Sequence, residues 1–193
     1  MKRRVVAMLC ALAMAGTMFG TMPQTTVHAA SGTTYYVSSL HGDNSNSGTS
    51  EDQAWETLDK LEDVAGTLSA GDRILLESGS VFQGFIHLQD VHGTEEAPIV
   101  ISSYGEGANP VINGNGQGVW YQDYVAPMDN TAHKSSGYVS STILLYDTDY
   151  VKVSNLEITN RSSDGEYFDD ADKLEEKMDR TGVAGIAKND GVM

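Results

Sequence analysis

The sequence predicts an all-β fold wound as a parallel β-helix (solenoid), and three observations carry that prediction. Between Gly71 and Gly116, short β-type runs occur at Ile74–Leu76, Phe85–Leu88, Ile99–Ile101 and Val111–Ile112. Gly, Asn, Asp, Ser or Pro separates each run from the next, at intervals of roughly ten to fourteen residues. No helix-length apolar stripe fits inside the segment, so helical connections between its strands are excluded. A β-sandwich is the alternative arrangement, but it needs longer strands and two-residue hairpin turns.

The first segment, 1–29, reads as a leader rather than as part of the fold. Lys2, Arg3 and Arg4 precede an apolar run from Val5 to Gly20, and Val27-His28-Ala29 fits a small-x-small cleavage pattern. A membrane anchor is the other reading, and the apolar run is short for a spanning helix. Cys10 lies inside that run and is the sole cysteine. The exported part therefore has neither a disulfide nor a thiol nucleophile, and its stability rests on burial and backbone pairing. The expected location is secreted or cell-surface. What remains is long enough for one domain with a sizeable core.

The whole chain carries 27 Asp and Glu against 12 Lys and Arg, a formal net charge of −15. Three of those cations lie in the leader and no carboxylate does, so the exported part is more acidic still. That balance excludes nucleic acid and anionic membrane as partners and suits a neutral substrate better than a polyanion.

Residues 30–70 read as a strand, a loop and a cap. Thr33–Ser38 is β-branched and aromatic. His41–Ser50 is rich in Gly, Asn, Asp and Ser and is a loop. Asp43, Ser45 and Ser47 fit part of a calcium loop, but Ala54 occupies the position where an EF-hand needs Glu, which favours a plain turn. Trp55–Ala65 places Trp55, Leu58, Leu61, Val64 and Ala65 at helical spacing. An amphipathic helix here would cover the open end of a strand stack.

Residues 71–193 read as the first rungs of the β-helix, with insertions at 117–141 and 161–181. Pro98 and Pro110 stand where strands begin. Asn113-Gly114-Asn115-Gly116 is a turn. In the first insertion Trp120, Tyr121, Tyr124 and Tyr138 sit among Asp123, Pro127, Asp129, Asn130 and His133. Two uses fit this composition equally. The aromatics fold the loop onto the stack, or Trp120, Tyr121, Asp123 and Tyr124 contact a sugar through ring faces and acceptors. Strands resume at Ile143–Leu145, Val151–Val153 and Leu156–Ile158, with Ser154-Asn155 as a minimal corner that uses asparagine's tolerance of left-handed backbone. Asp147 and Asp149 are explained by a solvated turn before a metal pair, and no metal site is expected. Glu166–Arg180 has the spacing of a short acidic helix, Gly182–Ala187 of a further strand, and Lys188–Gly191 of a turn. The stack is capped at one end only, so the chain is expected to be the N-terminal part of a longer protein.

A run of short motifs now carries a resemblance. Tyr35-Tyr36-Val37-Ser38, Gly42-Asp43, Gly48-Thr49-Ser50, Ala54-Trp55 and Thr57-Leu58 are followed in order by Gly71-Asp72, Gly93-Thr94, Pro98-Ile99, Ser103-Tyr104-Gly105 and Pro110-Val111-Ile112. This series resembles the N-terminal signature of secreted bacterial right-handed β-helix proteins of the pectate-lyase-like superfamily. Ala54 departs from it, since the group usually has Pro before the aromatic. Asn155–Asn160 and Arg180–Gly185 are most similar to hydrolase-type members, including lacto-N-biosidase-like enzymes.

The resemblance implies a glycan substrate and leaves the reaction open. A glycoside hydrolase needs two carboxylates flanking the bond. Similar enzymes carry them on central rungs, so the catalytic pair is expected beyond Met193. A polysaccharide lyase needs a base and often calcium. Lys152 and Arg161 are the only strand-adjacent cations for that role, and no other cofactor is implied. A non-catalytic glycan-binding module is the third reading. The remaining partners are further β-helix rungs or a second polypeptide.

Overall fold

The computed structural model describes residues 32–123, 136–160 and 179–186. Among them run eleven strands: β1 (Thr34–Val37), β2 (Arg73–Glu77), β3 (Val81–Gln83), β4 (Ile86–Gln89), β5 (Ile99–Tyr104), β6 (Val111–Asn113), β7 (Val119–Asp123), β8 (Ser136–Tyr146), β9 (Val151–Val153), β10 (Glu157–Thr159) and β11 (Asp179–Ile186). Helix among the described residues is confined to 3-10 turns at Glu51–Gln53 and Leu58–Leu61 and to α1 (Glu62–Ala65). The described part of the chain is therefore mostly sheet with little helix.

The strands form three sheets, ordered β1-β2-β5-β9, β3-β6-β10 and β4-β8-β11. All pairings within those orders are parallel. The chain visits the three sheets in rotation, β2 to β3 to β4, then β5 to β6 to β8, then β9 to β10 to β11. Register stacks like on like. Tyr35, Ile74, Ile101 and Val153 form one column. Phe82, Ile112 and Ile158 form a second, and Ile86, Ile143 and Val183 a third. Ile74, Ile101, Ile112 and Ile143 are fully buried. Each contributes about 1.5–3 kcal/mol of transfer free energy. Alternation puts the polar neighbours outside, as in β4, where Ile86 and Leu88 are buried and Gln89 is exposed.

The strands are separated by tight bends. Among the described residues, the non-glycine positions with positive φ are Asp90, Asn115, Asp147, Tyr150 and Asn155. All five lie just outside a strand. Asn155, with φ 57, occupies the expected corner between β9 and β10, and its amide donates to Ser102 Oγ at 3.2 Å. Asn115 (φ 49) and Gly116 (φ 75) make the turn after β6.

Three expectations need correction. The helix over 55–65 is shorter than its apolar spacing implies and begins at Leu58. Backbone pairing wins at Trp55, whose N–H donates to Tyr36 O at 2.9 Å and whose carbonyl accepts from Ser38 N at 2.8 Å. Asn44 Oδ1 then takes the N–H groups of Glu56 and Thr57. Leu58 and Leu61 still seal the core, together with Leu68, and α1 packs on β4. Next, the strand expected at Phe85–Leu88 starts at Ile86, and Phe82 on the unanticipated β3 is the buried phenylalanine. Finally, Asp179 and Arg180 belong to β11, not to the end of a helix. The rest of that proposed helix, the leader, the loop at 161–165 and the turn at 188–191 lie outside the described residues.

Asp43 Oδ1 accepts the Ser45 N–H at 2.8 Å, so the 41–50 loop closes with an Asx turn. That loop also finishes the first sheet, since Tyr36 N donates to Gly48 O at 2.7 Å. Gly48 is required there: a Cβ would meet the Trp55 indole at 2.3 Å, and φ is +73.

Ile101→Ala should test the stacked columns. It removes a fully buried side chain between Ile74 and Val153 and is expected to cost about 2–5 kcal/mol in denaturant unfolding. A loss below about 1 kcal/mol would mean that the column is not packed as described.

Candidate functional site

The segment expected as an insertion at 117–141 carries a ribbon. β7 pairs antiparallel with the first half of β8, Val119 opposite Ser140 through Asp123 opposite Ser136. The second half of β8 pairs with β4, from Ile86 opposite Ile143 to Gln89 opposite Tyr146. β7 and β4 therefore share the same edge of β8, one after the other, while β11 runs along its other edge. The third sheet is lengthened sideways by this device, and aromatic side chains are carried out with it.

The root of the ribbon is fixed by polar contacts. Asn160 Oδ1 accepts Gly116 N at 2.8 Å, and its Nδ2 donates to Ser140 O at 3.1 Å and Ser140 Oγ at 3.0 Å. Thr142 Oγ1 donates to Thr159 O at 2.6 Å. Gly118 lies so close to the third sheet that a Cβ would meet Ser141 O at 2.3 Å and His87 Nε2 at 2.9 Å.

The proposed sugar-contact residues do not form one cluster. Trp120 stands perpendicular to the His87 ring at a centroid distance of 6.0 Å, and His87 packs on Phe85 at 4.5 Å. Tyr121 meets Tyr138 edge-on at 5.2 Å. These two tyrosines are directly opposed across the ribbon and are 56% and 39% exposed. Strand alternation places Trp120 and Tyr121 on opposite faces. The backbone of Asp123 pairs with Ser136, and Tyr124 lies outside the described residues. Trp120 thus folds onto the sheet, whereas Tyr121 presents a ring to solvent. Phe85 and His87 were not singled out in the sequence. Their signal is the alternation with Ile86 and Leu88, which turns them away from the core.

Burial holds the His87 ring below the usual histidine range, partly offset by the Ser141 carbonyl 3.5 Å from Nε2. Elsewhere, Ser38, Glu77 and His41 meet without forming a nucleophilic triad. Ser38 Oγ donates to the Glu77 carboxylate and accepts the N–H groups of Leu40 and His41. His41 Nδ1 sits on the same carboxylate at 3.1 Å. The hydroxyl thus gives its proton to a carboxylate and not to an imidazole, and the cluster locks the turn after β1. Burial raises the Glu77 carboxyl, but the Ser38 hydrogen bond with the His41 bond and charge outweighs it, so Glu77 titrates below its ordinary value. Burial, then the charges of Glu77 and Glu51, push Tyr104 up to about 12.

Asp149 pairs with His92 at 2.9 Å, and Asp147 sits in the same turn with φ 49. A groove of about 400 Å³ opens beside them, lined by Leu145, Tyr150, Val151 and Gly185 as well. No group of three or more metal-ligating side chains occurs among the described residues. Lys152 is exposed on β9, and Arg161 lies outside the described residues.

Comparison with known proteins gives this surface a context. No protein-family model matches the chain. It is 46% identical over 191 residues to a lacto-N-biosidase of Bifidobacterium longum subsp. longum, a match covering 88% of this chain and 12% of that protein. The chain is similar to lacto-N-biosidases. Crystal structures of the GH136 lacto-N-biosidase from Eubacterium ramulus, selenomethionine and native, are 51% identical with TM-scores of 0.71 and 0.70. They match 81% and 82% of this chain, and the chain spans 24% and 25% of theirs.

Glu77→Gln tests the turn lock and its pH dependence. A carboxyl lowered on folding contributes stability above its unfolded value of 4.5 and loses it as pH falls through the folded value. The variant should lose about 1–2 kcal/mol near neutral pH, from weakened charge-assisted hydrogen bonds. Thermal unfolding at pH 7 and pH 3.5 checks this. The difference from the parent chain should shrink at the lower pH, and an equal difference at both would refute the assignment.

Proposed function

We propose that this chain is part of a secreted glycoside hydrolase acting on oligosaccharides, of lacto-N-biosidase type. In this reading the chain winds as a right-handed parallel β-helix and supplies its first turns. The 51% identity to a crystallised lacto-N-biosidase, over 81% of the chain, is the observation that carries the reading. The rotation of the chain through three parallel sheets supports the β-helix. Handedness rests on the general preference for right-handed parallel crossovers.

Glycosidic cleavage needs an acid and a nucleophile or base flanking the bond. Several described carboxylates already hold the fold: Asp72 bonds Thr33 N and Ser69 N, Glu77 the turn after β1, and Asp149 His92. Catalytic carboxylates are assigned to the sequence that the longer relatives carry outside the matched span. The role given to this chain is scaffold and substrate contact. Tyr121 offers an exposed ring to C–H groups of a neutral sugar, which agrees with the acidic charge balance.

The test is an assay of the full-length gene product on a chromogenic lacto-N-bioside and on uronate polymers. New reducing ends on the first substrate support the proposal, while an unsaturated, near-ultraviolet-absorbing product would replace it with a lyase. Failure to turn over either would leave a binding module. In an active enzyme, Tyr121→Ala should raise KM about fivefold with kcat little changed, as expected for loss of an aromatic contact worth about 1 kcal/mol. An unchanged KM would remove the ribbon from the substrate path.

A further inference from the structure

The ribbon packs its tryptophan on the third sheet against one polar ring. His87 projects from the outer face of β4, opposite the buried Ile86 and Leu88. Phe85 lies against one side at 4.5 Å and Trp120 of β7 stands over it at 6.0 Å. Gly118 closes the gap where the ribbon leaves the sheet, leaving no space for a Cβ beside His87 Nε2. The register partner of His87 on β8 is Leu144, itself buried.

The groups facing the ring are Phe85 beside β4, Trp120 on β7, and Leu144 and the Ser141 carbonyl on β8. Among the described residues none of these is charged, and the only polar contact is that carbonyl, 3.5 Å from Nε2. Only burial and this contact shift the ring, with no charged neighbour contributing. A neutral imidazole suits such a site. An imidazolium would lose much of its hydration there without gaining a counter-ion.

We propose that His87 is the positioning residue for Trp120, holding its side chain on the sheet while neutral and releasing it when the ring takes up a proton. The sign follows from the direction of the shift. A histidine that binds its proton less readily in the packed state than in the open one favours packing above about pH 6.5 and opposes it progressively below. Packed Trp120 is therefore the neutral-pH form and released Trp120 the acid form. The claim concerns the packing of Trp120 and stands whether or not the ribbon touches a glycan.

The experiment uses the full chain, whose two tryptophans separate cleanly. Trp55 is buried in the core, with its Nε1 bonded to Asn46 O at 2.9 Å, whereas Trp120 contacts His87. Between pH 7.5 and pH 4.5 the emission should shift to the red with far-UV dichroism unchanged. The shift should vanish in Trp120→Phe, which assigns it, and in His87→Phe, which keeps a ring but cannot be protonated. No shift in the parent chain, or the same shift in His87→Phe, overturns the proposal. Should the variants fail to fold, the parent chain still decides by NMR. The imidazole identified by contacts to Phe85 and Trp120 must titrate below about pH 6.5, the value of a free histidine, and a midpoint at or above it refutes the latch.

Discussion

Everything described depends on vertical register between parallel strands. Ile74 sits over Tyr35 and under Ile101, and Ile101 sits under Val153. Side chains alternate with a period of two, so slipping one strand by one residue would turn its column outward and bury its polar set. The bends protect against this. Asp90, Asn115, Asp147, Tyr150 and Asn155 each take the left-handed backbone just outside a strand, which fixes where one strand stops and the next begins. Small hydrogen-bonding side chains then tie successive turns, as Ser102 does with Ser154 and Asn155.

The same ladder builds the surface with which a ligand would meet. β8 is long enough to serve β4 along one half and β7 along the other. The ribbon is thus not a loop laid on the sheet but an extension of it. Its aromatic side chains inherit the alternation of a strand, which separates Trp120 from Tyr121. Asn160 holds the two chain segments where they leave the stack, so the position of the ribbon is coupled to the corner after β10.

Much of this was legible in the residues, and the exceptions have physical reasons. The aliphatic runs that became β2, β5, β6 and β9 could be read directly, because several inward residues occur within a few positions. β3 could not, since only Phe82 of its three residues points inward. The first half of β8 is Ser- and Gly-rich and gains its strand character from two partners distant in sequence, which a local pattern does not contain. At Trp55 two signals competed. Helical spacing was real, yet the backbone there was needed to satisfy Tyr36 and Ser38. The aromatic composition of 117–141 was visible, but which ring faced the sheet was set by His87, more than thirty residues earlier.

The ribbon also shows how cheaply such a chain changes length. Linking the first turn spans 39 residues between Thr33 and Asp72, whereas the turn that includes the ribbon spans 57 between His92 and Asp149. Closure entropy grows only with the logarithm of the span, so the longer circuit adds about 0.3 kcal/mol. A corner between stacked strands is therefore a slot where sequence can be gained or lost almost without thermodynamic penalty. The columns beneath it tolerate no such change, because a close-packed stack feels every methylene, while the corner can vary what it presents.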